Sequence, residues 1–388
     1  MRNRQHAITA LRIFDGPGCL EQLGRELSRL DRRRAVIFCG STLGREGSPL
    51  ELVTAAAAER CVGVFAGVTA HSPLPAVEAG AEALRRHDAD VVIAVGGGSA
   101  IVTARAASIL VAEGRDIREL CTQRHANGQL TSPKLPSAKI PQLIVPTTPT
   151  TAMAKAGSAV LDPQTRSRLA LFDPKTRASS LFLHPDLLGS APRGLVVDAA
   201  LNTFCGAVEG LMSQSGDPIS DAQLMHAVRL CARHLPDHAS LDDDATRSDL
   251  AFAAILCGQG TDITSGGITT ALGHAVAAHC GIESGLAKVV LLPHTIKFNA
   301  EAARDGLDKL AAALGLPMTK GQSEDRVIDA IVALTRTLGL GDRLRDAGVA
   351  REALGDIADK AMADWFLKGN PRPVTGPADL KAILDAAW

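Results

Sequence analysis

Residues 90–110 read Asp-Val-Val-Ile-Ala-Val-Gly-Gly-Gly-Ser-Ala-Ile-Val-Thr-Ala-Arg-Ala-Ala-Ser-Ile-Leu. Val91 to Val95 form an unbroken apolar run closed by glycines, the pattern of a parallel strand covered on both faces. Gly96, Gly97 and Gly98 make a turn, and the small residues from Ser99 onward suit a helix. A strand, turn and helix in this order bring free backbone N–H groups and the positive end of a helix dipole to one point, which suits a phosphate. A Cβ at that point would hold a diphosphate off the backbone, so glycine has a physical reason to be there. The spacing is not that of the G-x-G-x-x-G fingerprint. Two readings stand: a phosphate-binding turn made by Gly96, Gly97, Gly98 and Ser99, or a bare tight turn.

Around this stretch, strand-like and helix-like segments alternate. Short apolar stretches from Ala7 to Phe14 read as an early strand or hairpin, and Gly16-Pro17-Gly18 turns into a helix with Leu20, Leu23 and Leu27 on one face. Ala35 to Cys39 is a buried strand ending at Gly40-Ser41-Thr42. A helix over 48–60, a strand over 62–65, a helix over 74–87 and the Val91 strand complete a β-α-β-α-β series. That series predicts a Rossmann-like, doubly wound parallel α/β sheet. A polar stretch, 115–140, leads to a further strand over 142–146 and then Thr147-Thr-Pro-Thr-Thr151. After about Leu187, Ala- and Leu-rich helical patterns take over: 194–213, 219–234, 245–259, 265–280, 286–300, 303–314, 324–338, 350–362 and 377–387. The expected organisation is an α/β domain, 1–190, and an all-helical domain, 191–388, with the boundary near Pro192.

Composition narrows the function. With 388 residues the chain can bury two cores. Its 41 basic and 42 acidic residues are interspersed, so there is no basic footprint for nucleic acid and no polybasic membrane anchor. Nine Phe, two Trp and no Tyr leave little for stacking bases. The eight cysteines lie at least 20 residues apart, which rules out C-x-x-C metal or redox motifs and fits a reduced compartment. Arg2 and Arg4 are not followed by an apolar signal core, and no apolar run reads as long enough to span a bilayer. The expectation is a soluble, cytoplasmic protein acting on a small molecule, without nucleic-acid or membrane partners.

The order Gly-Gly-Gly-Ser (96–99), Pro-Thr-Thr (146–148), Asp198-Ala199, Leu-Leu-Pro-His (291–294) with Phe298-Asn299, and Asn-Pro-Arg-Pro-Val-Thr (370–375) resembles the iron-containing (group III) alcohol dehydrogenases. These are relatives of glycerol dehydrogenase, dehydroquinate synthase and maleylacetate reductase. The resemblance runs from Gly16-Pro-Gly to the last helix. It implies the dehydroquinate synthase-like fold, NAD(P) bound by the first domain with its diphosphate on the glycine turn, and homodimers or larger homo-oligomers.

In that family one metal is held by Asp-x-x-x-His on a helix and two further histidines fourteen residues apart. Ligands at i and i+4 share a helix face. In this chain Asp198 is kept, but the position four later is Asn202, and counting back from Leu291-Leu-Pro-His294 the other two positions are Thr270 and Ser284. One carboxylate with neutral oxygens is a poor donor set for Zn²⁺ or Fe²⁺, so no metal is expected. A metal would have to recruit His274 or His279 with Asp198 or Glu209, and on one helix the two histidines project roughly 140° apart.

The resemblance matches His274 to the histidine beside the nicotinamide and the reacting carbon. Thr270 is four residues earlier and shares its face. A histidine with hydroxyl partners can polarise a carbonyl and protonate the developing alkoxide, and the related maleylacetate reductases are regarded as metal-free. His274 could equally be a core histidine bonded to a backbone carbonyl. Asp198 reads either as an acid in the first turn of a helix or as a group touching substrate or positioning Thr270. Thr147, Thr148, Thr150 and Thr151 correspond to a loop that touches cofactor in the family, or they form a plain threonine turn. The family's next residues are replaced by Ala152-Met-Ala-Lys155, where Lys155 is either a solvated lysine or a partner for an acidic substrate. Thr103 and Arg105 replace charged family positions on the helix after the glycine turn. Gly40 and Ser41 stand where NAD-preferring members carry an Asp, so the cofactor is NADPH or NADH with a lean toward NADPH. His294 reads as structural, at a helix start after Pro293, and Asn370-Pro-Arg-Pro as a connector to a last helix starting at Thr375 or Pro377.

The expected activity is hydride transfer from NAD(P)H to a small carbonyl compound without a metal. His274 is the expected proton donor, with Thr270, Ser284 and Asn202 as hydrogen-bonding partners. The alternatives are non-redox chemistry on the same scaffold (a lyase, cyclase or dehydratase) and a non-catalytic nucleotide-binding protein.

Overall fold

The computed structural model describes residues 6–125, 130–165, 167–237, 239–317 and 323–388. Arg2, Arg4 and part of the polar 115–140 stretch lie outside the described residues. Its backbone divides into a unit spanning Ile8–Ala191 and a unit of Pro192–Trp388 that takes in His6 and Ala7.

In the α/β unit the strands are β1 (Arg12–Asp15), β2 (Ala35–Gly40), β3 (Cys61–Val68), β4 (Val91–Gly96), β5 (Gln123–Arg124), β6 (Leu130–Thr131), β7 (Gln142–Pro146), β8 (Gly157–Asp162), β9 (Ser167–Phe172) and β10 (Ala178–Leu183). Helices α1 (Leu23–Arg29), α2 (Leu50–Ala57), α3 (Leu74–Arg86), α4 (Gly98–Glu113), α5 (Ile117–Leu120) and α6 (Pro185–Gly189) connect or flank them. Six strands make one sheet in the order β1-β10-β7-β4-β2-β3, with every pairing parallel. The residues of β4 and β7 are buried throughout, which is why Val91 to Val95 and Leu143 to Pro146 are apolar runs rather than alternating patterns. The chain leaves β2 toward β3 and leaves β4 toward β7, on the opposite side. The carboxyl ends of β2 and β4 therefore flank a topological switch point, where open α/β sheets bind ligands.

The sequence reading placed no strands between 151 and 187, where the structure has the antiparallel hairpin β8–β9 and the sheet strand β10. β10 was hidden by polar residues: Ser180 is fully buried, and its hydroxyl donates to the buried Glu26 carboxylate at 2.6 Å. Arg29 and Arg12 pair with the same carboxylate. A buried polar group costs little once it is bonded, so the strand does not need an apolar sequence.

The helical unit contains α7 (Arg193–Met212), α8 (Pro218–His234), α9 (Asp244–Thr264), α10 (Ile268–Cys280), α11 (Ser284–Asn299), α12 (Arg304–Ala313), α13 (Ser323–Thr337), α14 (Leu354–Ala361) and α15 (Pro377–Ala387). Each lies close to its expected span. Two expectations are corrected. Pro293 and His294 lie inside α11 rather than at a helix start, because one missing N–H is tolerated where the helix is packed by its neighbours. The chain does contain a helix long and apolar enough to cross a membrane, α7, although 67% of its most apolar window is buried inside the fold. Asp198, Asn202 and Glu209 interrupt its apolar sequence and concealed it from inspection.

Candidate active site

One group of candidate residues lies in the α/β unit. Gly96 takes a φ of +140°, a conformation that favours glycine. A Cβ on Gly97 would sit 3.0 Å from Thr148 Oγ1, and one on Gly98 would sit 3.1 Å from Thr150 Oγ1. The glycine turn and the threonine loop therefore face each other, with Thr147 N–H donating to Gly96 O at 3.1 Å. Thr147 and Thr148 are buried, whereas Thr150 and Thr151 are half-buried. The 16-residue helix α4 starts at this turn with Gly97 as its N-cap and no side chain bonded to its first N–H groups. Its leading amides are thus left for an anion. Ser99 is differently engaged: its hydroxyl accepts from His71 N–H at 3.1 Å, and Ser72 donates to its carbonyl. Gly40 ends β2 on the other flank of the switch point, and Ser41 follows it, exposed. Arg105, fully buried on α4, donates to Gly157 O and Ala152 O at 2.8 and 2.9 Å and so braces the backbone after the threonine loop. Lys155, on that loop, is half-buried rather than solvated.

A second group of candidate residues lies in the helical unit. Asp198 and Glu209, eleven residues apart on α7, fall on nearly the same face of that helix. Asp198 is not a first-turn acid, since α7 already begins at Arg193. Its Oδ1 instead accepts from Gly285 N–H at 2.6 Å and Leu286 N–H at 3.2 Å, the first turn of α11. Glu209 does the same for α10: its Oε1 accepts from Thr269 N–H at 2.7 Å and Thr270 N–H at 3.2 Å. Each carboxylate thus occupies the positive end of a neighbouring helix. Burial pushes the Asp198 carboxyl above its ordinary value and the charge of Glu283 adds to this, against the bonds from Gly285 and Leu286 and the charge of Lys288.

The positions expected to partner His274 are otherwise employed. The Thr270 hydroxyl donates to Glu209 Oε2 at 2.6 Å, so Glu209 and not Asp198 positions it. Ser284 Oγ donates to Asn202 Oδ1 at 3.3 Å, and Asn202 Nδ2 donates to Asp198 Oδ2 at 3.4 Å. His274 Nδ1 instead lies 2.9 Å from Asp364 Oδ2. Asp364 also accepts from Phe366 N–H at 2.9 Å, and Phe366 stands beside the imidazole with ring centroids 5.8 Å apart. Burial raises the Asp364 carboxyl, but its bond to His274 and the charges of His274 and Lys288 bring it below the usual carboxylate range. An ionised carboxylate only accepts, so it fixes the proton on Nδ1 and leaves Nε2 for other work. His279 turns elsewhere, to Lys360 at 3.0 Å.

Sequence reasoning missed three of these residues. Asp364 has no local signal, being 90 residues from its histidine. Asn370 is buried rather than a mere connector: its Oδ1 accepts from Ile268 N–H at the start of α10, and its side chain pairs with Asn299. Lys288 had a signal, since it follows Ser284 by four residues and therefore shares its face. The residues present do not fit a transition metal: one carboxylate, an amide and two hydroxyls are already bonded to one another, to backbone and to Glu209. Among the described residues no three His, Cys, Asp or Glu side chains gather to hold a metal ion.

Comparison with known proteins agrees with this architecture. Residues 10–185 match the iron-containing alcohol dehydrogenase model, and residues 196–388 match its C-terminal counterpart, the Fe-containing alcohol dehydrogenase family. The chain belongs to the iron-containing alcohol dehydrogenase family, and it is an oxidoreductase of that family. It is 26% identical over 378 residues to the lactaldehyde reductase of Escherichia coli K12, covering 96% of this chain and 97% of that protein. It is also 26% identical over 369 residues to a maleylacetate reductase of Sphingobium indicum, covering 94% and 92%. Sulfoacetaldehyde reductase from Bifidobacterium kashiwanohense, solved with NAD+, has the same fold, with a TM-score of 0.86 and 20% identity over 100% of this chain and 99% of that one. Redox chemistry is thereby favoured over the lyase, cyclase, dehydratase and non-catalytic alternatives.

Proposed function

We propose that this protein reduces a small carbonyl compound with NADPH or NADH, leaning toward NADPH, and does so without a bound metal. The observation that carries the reading is the helical-unit site: the family's ligand positions hold Asp198, Asn202, Thr270 and Ser284, bonded into the protein, while His274 is aligned by Asp364. When bound, the nicotinamide supplies hydride to the carbonyl carbon. His274 supplies the proton to the carbonyl oxygen through Nε2, because Asp364 fixes the other ring nitrogen and stabilises the imidazolium before it discharges. Gly96, Gly97, Gly98 and the leading amides of α4 hold the diphosphate, with Thr147, Thr148, Thr150 and Thr151 shaping the opposite wall. Ser99, whose hydroxyl oxygen accepts from His71 N–H, contributes through its position in the turn. Gly40 and Ser41 leave no carboxylate to repel a 2′-phosphate.

Fluorescence titration of NADPH and NADH, with and without added Zn²⁺ or Fe²⁺, tests this directly. Tight binding of NADPH, indifferent to metal, is expected. Failure of both nucleotides to bind contradicts it.

A further inference from the structure

Lys288 is a buried cation that neither the family likeness nor the proposed mechanism uses. It lies on α11, 7% exposed. Its aliphatic stem runs across α10 at Gly273, where a Cβ would lie 3.1 Å from Lys288 Cε and 3.3 Å from Cδ, with Cγ closer still. Gly273 immediately precedes His274 and follows Thr270 by three residues. Glycine there opens the groove that lets a lysine reach the middle of the site.

Glu209, Asp364 and Asp198 surround Lys288 closely enough to act on its charge, yet its ammonium makes no hydrogen bond or ion pair among the described residues. The reason is visible in the partners of those acids. Glu209 is occupied by Thr269, Thr270 and the Thr270 hydroxyl, Asp198 by Gly285, Leu286 and Asn202, and Asp364 by His274 and Phe366. An ammonium carries three donors and no acceptor. Its Nζ is not among the side-chain atoms sealed from solvent without a partner, so the donors at the end of this buried stem face open space, an arrangement expected where a ligand completes the site.

We infer that Lys288 is a catalytic residue whose ammonium hydrogen-bonds the substrate's carbonyl oxygen and takes over the electrophilic role that a metal ion would have there. This inference rests on the metal-independent reductase reading. As the carbonyl carbon accepts hydride from the dihydronicotinamide, the C=O π pair moves onto oxygen. Lys288 holds that oxygen while negative charge develops and keeps its own proton. The new O–H bond takes its proton from His274 Nε2, and the alcohol leaves. Burial disfavours the charged lysine, with Glu209, Cys205, Asp364 and Asp198 opposing that effect, so a developing alkoxide would be a strongly welcomed neighbour.

The test uses chelator-treated enzyme, NADPH and a panel of small aldehydes that includes lactaldehyde. Lys288→Met is expected to lower kcat about 10²- to 10³-fold, the loss typical of removing one oxyanion donor, with NADPH affinity unchanged. Lys288→Ala should regain at least about tenfold in rate when ethylammonium is supplied, a rescue that a merely structural role would not give. A readout independent of turnover is the affinity of trifluoroethanol, an alcohol acidic enough to bind as its alkoxide, in the presence of NADP+. It should weaken at least about 30-fold in Lys288→Met, roughly 2 kcal/mol. Should the Met variant not fold, Lys288→Leu, which removes both donor and charge, carries the same expectations. Turnover and trifluoroethanol affinity within threefold of wild type overturn the role of Lys288 and leave the reductase reading intact. Wild-type enzyme that is inert on every aldehyde, or that needs Fe²⁺ or Zn²⁺, overturns that reading and this inference with it.

Discussion

Replacing Asp364 by Ala isolates what the carboxylate does for His274. The wild-type contact is a 2.9 Å bond from Nδ1 to a carboxylate whose side chain is only 12% exposed. A hydrogen bond to a charged group is worth about 1.5–3 kcal/mol. If that amount is available only as the imidazole gains or gives its proton, it sets the change in barrier. At about 1.36 kcal/mol per factor of ten, kcat falls roughly 10- to 150-fold. The assay is steady-state NADPH oxidation with an aldehyde substrate, alongside a direct NADPH titration and a melting curve. The nucleotide affinity should hold, because the glycine turn and threonine loop belong to a different folding unit from Asp364. Full kcat in a folded Asp364→Ala enzyme would refute the argument that this carboxylate aligns and charges His274.

Three further outcomes follow from the packing. Gly285→Ala places a Cβ 2.6 Å from Asp198 Oδ1, with the Asp198 backbone carbonyl closer still; a loss of about 3–5 kcal/mol is expected from overpacking and disturbed bonds. An unchanged melting temperature would mean that α7 and α11 are not held together as described. Ser41→Asp restores a carboxylate at the end of β2 and should weaken NADPH binding about tenfold, ~1.4 kcal/mol of repulsion, while NADH binding holds or improves; equal effects on both cofactors would remove Ser41 from the 2′-phosphate argument. Glu26→Gln addresses the pH limb of stability. Burial raises the Glu26 carboxyl, but the bonds from Arg29 and Ser180 and the charges of Arg29 and Arg12 bring it below its ordinary value. Its contribution is therefore complete above the unfolded carboxylate pKa of about 4.3 and is lost as pH falls through the folded value. Urea unfolding should show a deficit of about 3 kcal/mol at neutral pH that shrinks at pH 3; a constant deficit would count against the ion-pair argument.

The α/β half was legible because parallel strands buried on both faces are mostly apolar, as Val91 to Val95 and Leu143 to Pro146 show. β10 escaped because Ser180 solves its burial through Glu26, 154 residues away, a long-range bond that no local pattern announces. The glycine turn was legible from composition, whereas its fit against Thr148 and Thr150 needed coordinates. In the helical half the three replaced ligand positions could be counted from the sequence, but what replaced their function could not. Asp198 and Glu209 look like surface or ligand acids in one dimension and prove to cap α11 and α10. His274 was singled out by the family resemblance, yet its partner Asp364 comes from beyond α14, through tertiary contact alone.

The most direct measurement is turnover of exhaustively chelated enzyme, with its metal content determined, before and after addition of Fe²⁺ or Zn²⁺. NADPH-dependent carbonyl reduction that persists without metal, and does not rise when either ion is added, is the predicted result. Loss of turnover on chelation, restored by Fe²⁺ or Zn²⁺, would contradict it and place the family's metal back among Asp198, Asn202, Thr270 and Ser284.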